Sequence, residues 1–293
     1  MNKENLPSLA DHHTHAQDLE FHNEISAMDF NIKVGDHLYP KVSEKRYVEH
    51  VLRNNLDTIW LIYEDTSRLI SIREAIKKEA PSTLVRGFYF IRDPKTFEQG
   101  ELINLYQQDL LHGIKIHPVI DNFALLPENF SRVIDIAKKL DVPIIFHSDD
   151  RKKSQHLTSP DKQEVLIKAY PDVRFVIGHG GAYANPRLVG DKNTAALSYW
   201  EKRPGEKPSE LIIKALSLTL KNENVFYEFS ITTNKIKAGL IADFVKENSK
   251  VAGKILAGSD FPTLNARLDS QLLALSEAGL STELVIQIAK NRL

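Results

Sequence analysis

Leu9-Ala10-Asp11-His12-His13-Thr14-His15 is the stretch from which the fold of this 293-residue chain is read. As a β-strand it alternates its side chains between two faces. Asp11, His13 and His15 then share one side and His12 is expected to pack outward. Two imidazoles two residues apart on one strand face reach a single cation, and neutral imidazole is a common ligand of catalytic divalent metals. A short His-rich stretch can also be merely a solvated segment. The rest of the chain decides between the two.

Downstream of this stretch the chain alternates regularly. Short apolar runs suited to buried strands occur at Thr58–Tyr63, Leu84–Phe90, Gly113–Pro118, Val142–His147, Val173–His179, Asn224–Phe229 and Lys254–Asp260. Between them lie stretches with helical spacing. One begins after Ser43 with Tyr47, Val51 and Leu52 on one face, and others run over Ser71–Ala80, Glu101–Leu111, Phe130–Leu140, Lys162–Tyr170, Ser209–Leu220, Ala238–Asn248 and Leu268–Ala278, with a last one from Ser281. Strand–helix alternation implies parallel strands. Eight such units predict a single-domain (β/α)8 TIM-type barrel spanning residues 1–293. A doubly wound open sheet is the alternative, but no Gly-x-Gly-x-x-Gly turn comes after the first strand.

Composition excludes other classes. Lys plus Arg number 38 against 39 Asp plus Glu, so no global field favours nucleic acid or a membrane surface. The run Arg151-Lys152-Lys153 reads as a solvated loop. With no cysteine, disulfides, thiolate metal sites and cysteine nucleophiles drop out, and a metal must be held by His, carboxylate or modified Lys. Residues 1–7 carry no apolar signal core, and no apolar run reaches bilayer-spanning length, so a cytoplasmic protein is expected. The expected partner is a small-molecule substrate, and self-association into a homo-oligomer is compatible with the sequence.

In barrels of this kind the active site forms at the C-terminal strand ends. His13 and His15 sit there on the first strand, Lys115 and His117 on the fourth, His147 on the fifth, His179 on the sixth and Asp260 on the eighth. His22, His37, His50, His112 and His156 fall in loops or helices and read as surface residues.

With Asp11-x-His13-x-His15, Gly113-Ile-Lys-Ile-His-Pro118, His147, Gly178-His179-Gly180-Gly181 and Gly258-Ser-Asp260-Phe-Pro262 in this order, the chain resembles the amidohydrolase superfamily. The branch it resembles contains amidohydrolase-2 type hydrolases and metal-dependent aromatic-acid decarboxylases. The resemblance implies a distorted barrel carrying one or two divalent ions, with zinc the first choice and one ion expected. By position His13, His15, His147 and Asp260 match the metal ligands of mononuclear members. His179 matches a histidine that is either a second-metal ligand or a free catalytic group. Lys115 matches the lysine that bridges two metals when carboxylated; an ordinary lysine pairing with carboxylates at the barrel mouth is the preferred reading, and His117 on the same face is placed to line the pocket. TatD-like nucleases want a glutamate where Lys115 stands, and the polymerase-and-histidinol-phosphatase fold wants an Asp-x-His pair that Gly-Ser-Asp260-Phe-Pro lacks.

A divalent ion with an open coordination position lowers the pKa of bound water to about 7. Asp260 can both coordinate and accept that proton, and His179 can polarise a carbonyl or protonate a leaving group. Hydrolysis of a small carboxylate-bearing ester, lactone or amide is the expected reaction, with decarboxylation of an aromatic or unsaturated acid as the alternative. Hydrolysis is preferred as the broader chemistry of the superfamily. A catalytically silent metal-binding barrel is the reading of another class. Substrate choice is assigned to the loops Gln17–Val42 and Gly180–Pro208, where Arg187 is the candidate carboxylate grip and Tyr183 a further contact.

Overall fold

The eight expected strands are present, in order and all parallel, in one sheet ordered β1 to β8. A computed structural model describes residues 7–16, 42–118, 123–148, 155–181, 208–230, 235–262 and 267–293. The strands are β1 Leu9–His15, β2 Leu56–Tyr63, β3 Leu84–Ile91, β4 Gly113–Ile116, β5 Ile144–Phe146, β6 Phe175–Ile177, β7 Val225–Glu228 and β8 Ile255–Leu256. The main helices between them are α1 Glu44–Asn54, α2 Thr66–Glu79, α3 Gln99–Gln107, α4 Pro127–Leu140, α5 Pro160–Ala169, α6 Pro208–Lys221, α7 Lys235–Glu247, α8 Leu268–Glu277 and α9 Thr282–Lys290. The sheet closes where the chain after β8 runs beside β1. His12 N–H donates to the Ala257 carbonyl at 2.9 Å, Asp260 N–H to that of His13 at 2.8 Å, and His15 N–H to that of Phe261 at 2.7 Å.

The expected boundaries shift where local capping decides. Helix α2 starts at Thr66, five residues before Ser71, because the Asp65 carboxylate accepts the Ser67 N–H at 2.8 Å and so starts the helix early. The last strand is shorter than Lys254–Asp260, because a 3-10 turn occupies Ser249–Lys254 and the backbone beyond Leu256 leaves the ladder to pair with β1.

Two apolar layers hold the barrel. Outward-facing residues such as Ile59, Leu61 and Tyr63 of β2 pack in the large cluster with helix residues such as Ile72 and Ile76. Trp60, Ile62, Phe88, Phe90, Ile145, Val176 and Leu256 come from strands alone and fill the interior. Period-two alternation along β2 and β3 produces this division. Trp60 stacks on Phe88 at 4.2 Å between ring centroids and is 1 % exposed. Truncating it leaves a hole in a closed core, so Trp60→Ala is expected to cost about 3–5 kcal/mol, measured by denaturant unfolding.

His12 does not pack outward. Its ring meets Trp60 edge-on at 4.5 Å, inside the barrel, and its Nδ1 pairs with the Ala257 carbonyl at 2.9 Å. Asp11 likewise does not share the face of His13 and His15. Its carboxylate takes His50 of α1 at 2.7 Å and the Ser259 N–H at 2.9 Å. The cause is a break in the β1–β2 register between Asp11 and Thr14, which interrupts simple alternation. His50 is therefore buried beneath Phe261 rather than on the surface.

Candidate metal centre

Three strand ends deliver the four central side chains. His13 and His15 project from β1, His179 comes directly after β6, and Asp260 lies beyond β8 and is drawn to β1 by its own N–H. His13, His179 and Asp260 each place a ligand atom within 4.8 Å of the others, all three buried. His15 joins them through Nε2, 3.2 Å from Asp260 Oδ1, and His13 Nε2 lies 3.7 Å from the same oxygen. Asp260 and His179 both adopt left-handed backbone, with φ of 58° and 54°. That conformation is costly for a side-chain-bearing residue and persists only where its surroundings dictate it.

The surroundings are organised by Glu228, at the end of β7, which sequence reasoning missed. Glu228 Oε2 accepts from His13 Nδ1 at 2.7 Å and from the His179 N–H at 2.9 Å. Ser230 Oγ lies 3.2 Å from the same carboxylate oxygen and 2.6 Å from His179 Nδ1. With Ser230 donating to Glu228, His179 donates Nδ1–H to Ser230. Both imidazoles then turn their Nε2 lone pairs toward the barrel axis. A carboxylate behind a histidine in this way fixes the tautomer and raises the ring's basicity toward a cation. Lys237 of α7 donates to the carbonyls of His179 and Ser230 at 2.8 and 2.9 Å, closing the frame.

Burial pushes Glu228 up to about 7, opposed by the His179 N–H and the Lys237 and Lys115 charges. Burial, and then Lys115 nearby, hold His13 well below the usual imidazole range, which keeps it neutral and ligand-competent. Burial likewise holds His179 well below the usual imidazole range. Lys115 Nζ lies 3.2 Å from His13 Nε2, and burial pushes its pKa down to about 8. Neutral imidazoles from two strands, an acceptor-only carboxylate and a fixed tautomer suit a divalent ion.

His147 and His117, at the ends of β5 and β4, stack at 3.6 Å, and His147 meets His179 edge-on at 4.7 Å. The set His13, His15, His147, His179, Lys115, His117 and Asp260 therefore lines one end of the barrel, with His13, His179 and Asp260 the tightest group. Arg187, Tyr183 and most of both substrate loops lie outside the described residues, as do Arg151, Lys152 and Lys153.

Gly258 makes room for this frame. A Cβ there would fall 2.2 Å from Glu228 Oε1 and 2.8 Å from His13 Cβ. Gly258→Ala is expected to push Glu228 off His13 and weaken metal affinity by about 10–100-fold, measured by competition with a chromogenic chelator.

A family model described as Amidohydrolase (Amidohydro_2) matches residues 75–290. No curated protein matches the chain. Among solved structures, a probable 2-pyrone-4,6-dicarboxylic acid hydrolase from Acinetobacter baumannii with citric acid bound is similar at 16 % identity, TM-score 0.60, over 97 % of each chain. A 5-carboxyvanillate decarboxylase from Novosphingobium aromaticivorans, complexed with manganese, is similar at 12 % identity and TM-score 0.60, over 99 % of this chain and 97 % of that one. An amidohydrolase from Burkholderia multivorans with bound zinc is similar at 14 % identity and TM-score 0.60, over 97 % and 96 %. At these identities the likeness concerns the fold. Among the described residues no helix is long and apolar enough to cross a membrane.

Proposed function

The chain belongs to the Amidohydro_2 family of amidohydrolases, and on that premise we propose that it is a metal-dependent hydrolase of small carboxylate-bearing esters, lactones or amides. The supporting observation is the convergence of His13, His179 and Asp260 on one buried point, backed through Glu228. His13, His15, His147 and Asp260 remain the proposed ligand set, with His179 adjoining it. We favour one zinc ion and an unmodified Lys115. A divalent ion there supplies Lewis acidity and lowers the pKa of a coordinated water.

The chain's own groups do the rest. The Asp260 carboxylate takes the proton released by water at one of its oxygens. His179 keeps Nδ1 engaged with Ser230 and offers Nε2 to the substrate carbonyl or leaving group. Burial of Asp260, His13 and His179 excludes bulk water and strengthens each of these interactions. The same wall could serve decarboxylation, which a structural neighbour carries out.

Metal-loaded protein assayed on lactones, amides and aromatic acids separates these readings. Hydrolysis abolished by chelation and restored by zinc is expected. Carbon dioxide release from an aromatic acid would replace it with the decarboxylase reading, and no turnover across the panel would favour a silent metal-binding barrel.

A further inference from the structure

Tyr47, His50 and Asn54 are spaced three and four apart on α1 and so share one face of it. That face meets β1 and the chain beyond β8. Tyr47 donates its hydroxyl to the His15 carbonyl at 2.7 Å, and its ring meets Phe261 edge-on at 5.4 Å. Asn54 Oδ1 accepts the Leu268 N–H at 3.1 Å, while its Nδ2 lies 3.3 Å from His50 Nδ1. With Asn54 donating there, the Nε2 of His50 carries the proton and donates to Asp11 Oδ2 at 2.7 Å. The His50 ring also stacks on Phe261 at 4.3 Å, with 17° between the planes. The other Asp11 oxygen accepts the Ser259 N–H at 2.9 Å and the His13 N–H at 3.2 Å. Ser259 Oγ accepts the Phe261 N–H at 3.0 Å and lies 3.4 Å from His50 Nε2. The residues on both sides of Asp260 are thus tied to one buried pair, with 5 % of the His50 and 0 % of the Asp11 side chain exposed.

We propose that His50 is a positioning residue for Asp260: acting through Asp11 and Ser259, it holds the left-handed backbone that turns the Asp260 carboxylate toward His13 and His15. The inference rests on the reading above in which Asp260 is metal ligand and proton acceptor. Asp260 keeps its φ of 58° although that region is unfavourable for a side-chain-bearing residue, so the peptides before and after it must be held from outside. The Asp11 carboxylate does this for the peptide before, and the Ser259 hydroxyl and the His50 stack do it for the residue after. His50 supplies the donor that orients the carboxylate. An apolar pair of the same volume would fill the space under Phe261 as well. It could not take the Ser259 N–H.

The test is a double-mutant cycle on zinc affinity, measured on the full chain by competition with a chromogenic chelator. His50→Phe keeps a flat ring against Phe261 but has no donor for Asp11, and it should weaken zinc by about 10–100-fold. His50→Gln places an amide N–H near the position of Nε2 and should stay close to wild type. Against an Asp260→Asn background His50→Phe should cost nothing further, because the carboxylate it positions is already gone. Asp11→Asn keeps an oxygen for the Ser259 N–H but not the charge facing His50. It should show a smaller loss that also vanishes against Asp260→Asn, and it carries the test if His50→Phe folds poorly. Three results overturn the assignment: wild-type affinity in both His50→Phe and Asp11→Asn, His50→Gln as impaired as His50→Phe, or the same loss with and without the Asp260 carboxylate. The last would assign the effect to His13 or to the fold at large. Failure of the hydrolase reading is seen separately, as this affinity pattern in a protein that turns over no ester, lactone or amide.

Discussion

Asp260→Asn is expected to lower turnover by roughly 10²–10⁴-fold while leaving the barrel folded. Asparagine keeps the shape and one neutral oxygen, so His13 and His179 still approach the same point. It lacks the negative charge, and an amide oxygen is far too weak a base to accept a proton from water. The backbone role of residue 260, its N–H to the His13 carbonyl, is unaffected by the change, and asparagine tolerates the left-handed φ of 58° as aspartate does. The loss should therefore persist when excess zinc restores occupancy, measured as kcat at saturating metal. Full recovery with added metal would reduce Asp260 to a ligand and leave the proton to another group, with His179 next in line.

His13→Ala is expected to abolish metal retention and turnover together. His13 is the member whose second nitrogen is fixed by Glu228 at 2.7 Å and whose Nε2 faces both Asp260 and Lys115. Removing the ring deletes a proposed ligand and leaves the buried Glu228 carboxylate with one donor fewer, the His179 N–H and Ser230 remaining. The protein should elute from a desalting column without stoichiometric ion, and kcat/KM should fall to background. Glu228→Gln provides the contrast: the amide keeps much of the shape and should retain an ion at lower affinity.

Much of the barrel and most of the candidate site was legible because both are written locally. Apolar strands alternate with helical spacing, and His13, His15, His147, His179 and Asp260 stand at or just beyond strand ends, where polar chemistry is otherwise unexpected. Glu228 was missed because an acid between Tyr227 and Phe229 looks like an ordinary solvated strand end. Its role arises from pairing with residue 13, 215 positions away. The signal available was that β7 ends in a carboxylate at the same level as the histidines of β5 and β6. The placement of Asp11 and His12 was not legible because it depends on a break in register, and a regular alternation rule cannot generate one. The expected N-terminus of α2 failed for a simpler reason, since Asp65 is a better cap than the apolar spacing suggested.

Titrating metal into chelator-stripped protein tests whether these buried histidines and Asp260 form a catalytic metal centre. Bound ion and hydrolysis of a responsive lactone or amide are measured in the same samples. Activity is expected to be absent at the start, to rise in proportion to bound zinc and to reach its plateau at one ion per chain. Hydrolysis that survives full stripping, or a chain that takes up no ion, would contradict it.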